Sequence, residues 1–254
     1  MRSFHLRVRG VELACEEHGE GARALVLVHG YTGSRRDFAW VAPALAAHER
    51  RVIVIEQRGH GRSTWLRDDE AYTLDALTHD LGAALDALEL DRVDLVGHSM
   101  GGQVALRLAL DAPHRVRSLA LVSTWGGCID VFPKPPLHSR VIDAFPLLRQ
   151  AADAYHRTRG RQVPAAPLDV DPHAYRALPR TMRAADLRGR LTSLHVPTRV
   201  IVGGADARFV PHAAALARVI PDATLTVIDH AGHQVMTERP RAFVDVLEPH
   251  LAAS

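Results

Sequence analysis

The sequence predicts an α/β fold: a mostly parallel central sheet with helices on both faces and an inserted, mainly helical cap. Three observations predict it. Short apolar runs alternate with segments whose apolar residues recur at three-and-four spacing, the pattern of strands buried on both faces with helices packed over them. The alternation stops between residues 125 and 187, where prolines are scattered and no short apolar run occurs, and this interruption marks an insertion. At 254 residues and 47% hydrophobic content the chain is large enough for one sizeable core. The expected organisation is a core of residues 1–124 and 188–254 and a cap of residues 125–187.

The elements follow in order. Residues 3–9 and 11–17 read as an antiparallel hairpin turning at Gly10, and residues 24–28 as a fully apolar strand. Ser34 with Asp37 three residues later opens a helix carrying Phe38, Val41 and Leu45 on one face. Residues 51–55 form the next strand. Thr73 caps a longer helix in which Leu74, Leu77, Leu81, Leu85 and Leu88 share a face. Strands at 93–96 and 116–122 flank a helix at 103–111. Beyond the insertion come strands at 198–202 and 224–228, a helix around 213–219 and a last helix over 240–251.

The chemistry concentrates at Gly97-His98-Ser99-Met100-Gly101, which leaves one of these strands and enters a helix. A serine hydroxyl is a poor nucleophile at neutral pH, so it has to be presented bare at a sharp turn, within reach of a base and beside N–H donors. Glycines two residues either side of Ser99 remove Cβ atoms that would obstruct such a turn.

Four further landmarks accompany this elbow: His29-Gly30-Tyr31, Arg58-Gly59-His60-Gly61-Arg62-Ser63, Gly203-Gly204-Ala205-Asp206 and Gly232-His233. Together, over essentially the whole length, they resemble the α/β-hydrolase fold superfamily. The resemblance implies a triad in the chain order serine, acid, histidine, met here by Ser99, Asp206 and His233. It also implies an oxyanion hole made by the main-chain N–H groups of Tyr31 and Met100. His230 competes with His233 but lacks the preceding glycine. Asp130 competes with Asp206, because some relatives place the acid after the earlier strand. Glu56 departs from the Asp that relatives often carry ahead of the R-G-x-G-x-S run. The chain has no triple-glycine oxyanion motif, which sets it apart from lipases and esterases that carry one.

Other candidates carry less. His60 lies in a tight turn after a strand, with no partner at metal-ligand spacing, and reads as structural. No G-K-[ST] follows the glycines of the elbow, so no phosphate loop is present. Neither a metal nor a cofactor is expected. Trp125, Met100, Cys128 and Phe132 either line an apolar substrate pocket between core and cap or pack the core. Arginines outnumber acidic residues over 125–187, which fits an anionic substrate or solvated helix faces equally.

The formal net charge is only +2, Lys134 is the sole lysine, and no basic run or aromatic RNA motif occurs. Nucleic acid is therefore not an expected partner. Two cysteines are too few for a disulfide framework and fit a reducing cytoplasm. No signal peptide or membrane-length apolar run is read. The expected state is a monomer or small homo-oligomer acting on a small molecule. The resemblance implies a serine hydrolase of the carboxylesterase or lactonase class, cleaving an ester, lactone or related carbonyl compound through an acyl-enzyme. A lyase or synthase that moves protons with the same triad, and a receptor-like binding protein of slow turnover, stay open as alternatives.

Overall fold

The structure, a computed structural model, describes residues 1–47, 49–127 and 169–253. One compact unit comprises Met1–Ile129 with Val170–Ser254, and a second comprises Asp130–Asp169. Most of the expected cap thus lies outside the described residues, including Cys128, Asp130 and Phe132.

The described residues contain one eight-stranded sheet. Its strands are β1 (Arg2–Val8), β2 (Val11–His18), β3 (Arg23–Val28), β4 (Arg50–Ile55), β5 (Val93–His98), β6 (Val116–Val122), β7 (Thr198–Gly203) and β8 (Ala223–Ile228), in the spatial order β1-β2-β4-β3-β5-β6-β7-β8. Pairing is parallel from β4 through β8 and antiparallel for β1 with β2 and β2 with β4. The hairpin turn falls where expected, with Arg9 and Gly10 both at positive φ (48° and 81°), the conformation that two-residue hairpins require.

Burial explains why the central strands are unbroken apolar runs. Leu25, Leu27, Val52 and Val54 face a core shared with α1 (Val41–Ala46) and a C-terminal helix, Pro240–Ala252, through Leu45, Phe243 and Leu247. Alternate residues Val28 and Ile55 face Leu77 and Leu81 of α2 (Leu74–Ala87) on the opposite side. The remaining α-helices among the described residues are α3 (Met100–Asp111), α4 (Pro172–Ala184), α5 (Val210–Val219) and α6 (Val235–Glu238), with Pro240–Ala252 as α7.

One element differs from expectation. The helix opened by Ser34 is split: its capping box with Asp37 heads only the short 3-10 turn Arg35–Phe38, and α1 begins separately at Val41. Phe38, Val41 and Leu45 nevertheless share the predicted buried core. Thr73 caps α2 as expected, its Oγ1 accepting from the N–H of Ala76 at 3.0 Å. Thr73→Ala is expected to lower stability by about 1 kcal/mol, read as a reduced urea midpoint with an unchanged slope.

The topology positions the site. From β3 the chain steps to β4 on one side, then crosses to β5 on the other, so the carboxyl ends of β3 and β5 lie together at a switch point of strand order. Open α/β sheets form their ligand crevices there. The segments that leave these two ends are His29-Gly30-Tyr31 and Ser99.

Candidate active site

Ser99 joins β5 to α3 at φ 52° and ψ −114°. A non-glycine residue there costs roughly 1–3 kcal/mol and persists only where its surroundings over-determine it. Those surroundings are specific: the Ser99 N–H donates to the Val122 carbonyl at 2.8 Å, and Thr124 Oγ1 donates to the Ser99 carbonyl at 2.6 Å. A Cβ on Gly97 would lie 2.3 Å from the Gly101 carbonyl oxygen, and one on Gly101 would lie 2.4 Å from that of Val28. Both motif glycines are therefore demanded by close backbone approach.

The fold brings Ser99, His233 and Asp206 into one hydrogen-bonded line. Ser99 Oγ lies 3.0 Å from His233 Nε2, and His233 Nδ1 lies 2.7 Å from Asp206 Oδ2. A carboxylate only accepts, so the Nδ1 position carries the proton and Nε2 is left to accept from the serine hydroxyl. Asp206 is largely shielded, with its side chain 9% exposed, whereas His233 is 35% exposed. The arrangement engages both nitrogens of the base, leaves part of its ring exposed and keeps the acid largely away from water.

Each member is held by its own element. Asp206 follows β7, its carbonyl accepting from the N–H groups of Phe209 and Val210 at the start of α5. His233 follows β8, bracketed by Glu238, whose carboxylate accepts from Gly232 N–H at 2.7 Å and Gln234 N–H at 3.2 Å. The Ala205 N–H donates to the Ala231 carbonyl at 2.8 Å and ties the acid loop to the histidine loop. His230, the competing histidine, is exposed on the turn after β8. Asp130, the competing acid, lies outside the described residues.

Two aromatic rings flank the His233 imidazole, and sequence reasoning passed over both in this role. Phe209 lies 4.4 Å from it, centroid to centroid, and His98 lies 4.9 Å from it. Burial, aided by nearby His233, pushes the His98 pKa down to about 3. His98 is therefore neutral, and its Nε2–H donates to the His233 carbonyl at 2.9 Å. His98 was visible as the variable letter of the elbow motif. Phe209 and Glu238 belong to no motif; Phe209 arrives from the segment after β7, whereas Glu238 ends α6, five residues beyond His233.

Met100 is buried as the first residue of α3, and the first N–H groups of a helix have no acceptor within it. Gly30 stands beside the serine: a Cβ there would lie 3.2 Å from Ser99 Cβ. The next residue, Tyr31, donates its hydroxyl to the Tyr175 carbonyl of α4 at 2.5 Å and stacks on the Tyr175 ring at 5.3 Å. Trp125 is buried, 5.6 Å from Phe209 by ring centroids, and so lies one ring away from His233. Glu56 accepts main-chain N–H bonds from Arg62 (2.9 Å) and Arg35 (3.3 Å), which makes it a brace for the turn after β4.

Comparison with known proteins agrees with this architecture. The family model described as alpha/beta hydrolase fold matches residues 23–176. A dihydrolipoyllysine-residue acetyltransferase component of an acetoin cleaving system from Pseudomonas putida is 35% identical over 243 residues; the match covers 87% of this chain and 61% of that one. This chain therefore spans less than two thirds of that relative's length. A putative carbamate hydrolase, RutD, from Variovorax paradoxus is 34% identical, covering 86% of this chain and 88% of its own. Among solved structures, an enol-lactonase from Burkholderia xenovorans superposes with a TM-score of 0.83 at 26% identity, covering 98% of this chain and 99% of its own.

Proposed function

The chain belongs to the α/β-hydrolase fold family, and from that premise we propose that it is a serine hydrolase cleaving a small ester, lactone or related carbonyl compound through an acyl-enzyme on Ser99. The observation that carries the reading is the unbroken line from Ser99 Oγ through the His233 ring to Asp206, at 3.0 and 2.7 Å. The carbamate hydrolase and the lactonase among the similar proteins support the same class of bond, a carbonyl carbon joined to a heteroatom leaving group.

In this mechanism Ser99 Oγ attacks the carbonyl carbon while its proton passes to His233 Nε2, and the carbonyl oxygen becomes an oxyanion held by the N–H groups of Tyr31 and Met100. Asp206 stabilises the imidazolium and keeps its orientation. Collapse of the tetrahedral intermediate breaks the bond to the leaving group, which takes the proton from His233. Water then attacks the acyl carbon with His233 again as base, releasing the acid and restoring the Ser99 hydroxyl. Trp125 serves as a wall of the substrate pocket; Cys128 and Phe132, nominated with it from the sequence, lie outside the described residues. The protein acts without a metal or cofactor, in the cytoplasm, as a monomer or small homo-oligomer. No helix among the described residues is long and apolar enough to cross a membrane.

The test is kinetic and covalent. An activated phenyl ester is expected to release a burst of phenol equal to the enzyme present, followed by a slower steady rate where deacylation limits. A serine-directed phosphonate should add one equivalent of mass, localised to Ser99 by peptide mapping, and chelators should leave the rate unchanged. Stoichiometric labelling with only feeble turnover across a broad panel of esters and lactones would replace this reading with a lyase or a receptor-like protein.

A further inference from the structure

Two buried imidazoles hold the peptide groups on either side of Tyr31. His29 Nε2 accepts the N–H of Gln57 at 3.0 Å, so its proton sits on Nδ1 and is donated to the Gly30 carbonyl at 2.8 Å. The peptide group is planar and trans, so fixing the Gly30 carbonyl aims the Tyr31 N–H in the opposite direction. The Tyr31 carbonyl, on the following peptide, lies 2.6 Å from His60 Nε2. Between the two imidazoles Tyr31 follows a glycine, the residue least able to resist rotation by itself.

His60 is built into the scaffold. It is fully buried, its N–H donates to the Gln57 carbonyl at 3.1 Å, and its own carbonyl accepts from the Ser63 N–H at 3.0 Å. It also forms a β-bridge with Val170, just ahead of α4. Both ring nitrogens face main-chain carbonyls: Nδ1 lies 3.0 Å from that of Arg58, and Nε2 makes the shorter contact to Tyr31. Burial lowers the His60 pKa, against the pull of those carbonyls and of Glu56. A carbonyl oxygen only accepts, so the nitrogen with the shorter contact, Nε2, carries a proton directed at the Tyr31 carbonyl. Among the described residues no group of three or more His, Cys, Asp or Glu could hold a metal ion.

We propose that His60 is a positioning residue for the oxyanion hole: its Nε2–H holds the Tyr31 carbonyl and, with His29, locks the Tyr31 N–H toward the oxygen that becomes negative at Ser99. The inference rests on the reading of Tyr31 as an oxyanion donor. Such donors act on the transition state and far less on the bound substrate. A misaimed Tyr31 lowers kcat and leaves KM nearly alone.

The experiment compares two amides that differ in reach. In His60→Gln the terminal NH2 occupies nearly the position of Nε2, whereas in His60→Asn it stops near Nδ1, out of reach of the Tyr31 carbonyl. His60→Asn is expected to lower kcat by about tenfold to a hundredfold, less than outright loss of a donor, with KM within about twofold. Its affinity for a boronic acid that forms a tetrahedral adduct on Ser99 should fall in parallel with kcat/KM. His60→Gln should stay within about threefold of wild type in all three quantities. Equal losses in both variants, no loss in either, or a change confined to KM would overturn the proposal. Should His60→Asn fail to fold, the wild-type His60 Nε2–H resonance serves instead: it must shift when the boronate adduct forms, and an unmoved resonance overturns the proposal. Retained turnover in Ser99→Ala would instead overturn the functional reading, and this inference with it.

Discussion

Ser99→Ala is expected to lower ester turnover by about a thousandfold or more while leaving the protein folded. The substitution removes one oxygen, and among the described residues the side-chain hydrogen bond it deletes is the one to His233 Nε2. The bonds that enforce the elbow are main-chain bonds on the Ser99 side, from its N–H to the Val122 carbonyl and from Thr124 Oγ1 to its own carbonyl, and they survive. Alanine tolerates φ 52° no worse than serine does. The thermal midpoint is therefore expected to move by no more than a few degrees, and covalent labelling by a phosphonate should disappear. Near-wild-type turnover in this variant would place the chemistry elsewhere. Ser99→Gly makes a useful companion: it should be as inactive yet more stable, because glycine relieves the positive φ.

Asp206→Asn is expected to cost up to about four orders of magnitude in kcat. The carboxylate accepts from His233 Nδ1 at 2.7 Å, which leaves Nε2 as the acceptor for the serine proton. An asparagine amide turned to donate to Nδ1 would reverse the ring, placing a proton on Nε2 and removing the base. The line of heavy atoms would look unchanged while its chemistry was lost. Asp130→Asn should alter kcat by less than about twofold. Reversal of that ranking, measured as kcat on the same ester, would identify Asp130 as the acid.

Local chemistry made much of the architecture legible from the chain alone. The hairpin at Gly10, the Thr73 cap and the apolar strands at 24–28 and 116–122 all depend on neighbours within a few residues, and each lies where its sequence pattern predicts. The elbow is of the same kind. The strand before Ser99, the helix after it and the flanking glycines are all written within one short stretch of chain. The split between the turn Arg35–Phe38 and α1 was not legible, because periodicity constrains which face is buried and not whether the backbone stays helical between buried residues.

The candidate site divides along the same line. The resemblance carried by the motifs nominated Ser99, Asp206 and His233, a serine, an aspartate and a histidine that each follow a strand end. What the sequence by itself determined is therefore the alternating α/β plan, the elbow and the chemical nature of the candidate groups, because each rests on local backbone preference or on side-chain chemistry. Tertiary structure brings the nominated His233 within 3.0 Å of the Ser99 hydroxyl, while His230 stays exposed on the turn after β8. It also decided that Phe209 and His98 flank that imidazole, that Glu238 brackets its loop, and that His60 reaches the carbonyl of Tyr31. These contacts join residues 4 to 135 positions apart, and all but the Glu238 bonds have partners chosen by how β3, β4, β5, β7 and β8 are ordered in the sheet. A hydrogen bond needs a match of a few tenths of an ångström, and strand order and packing provide it where sequence spacing carries no record of it.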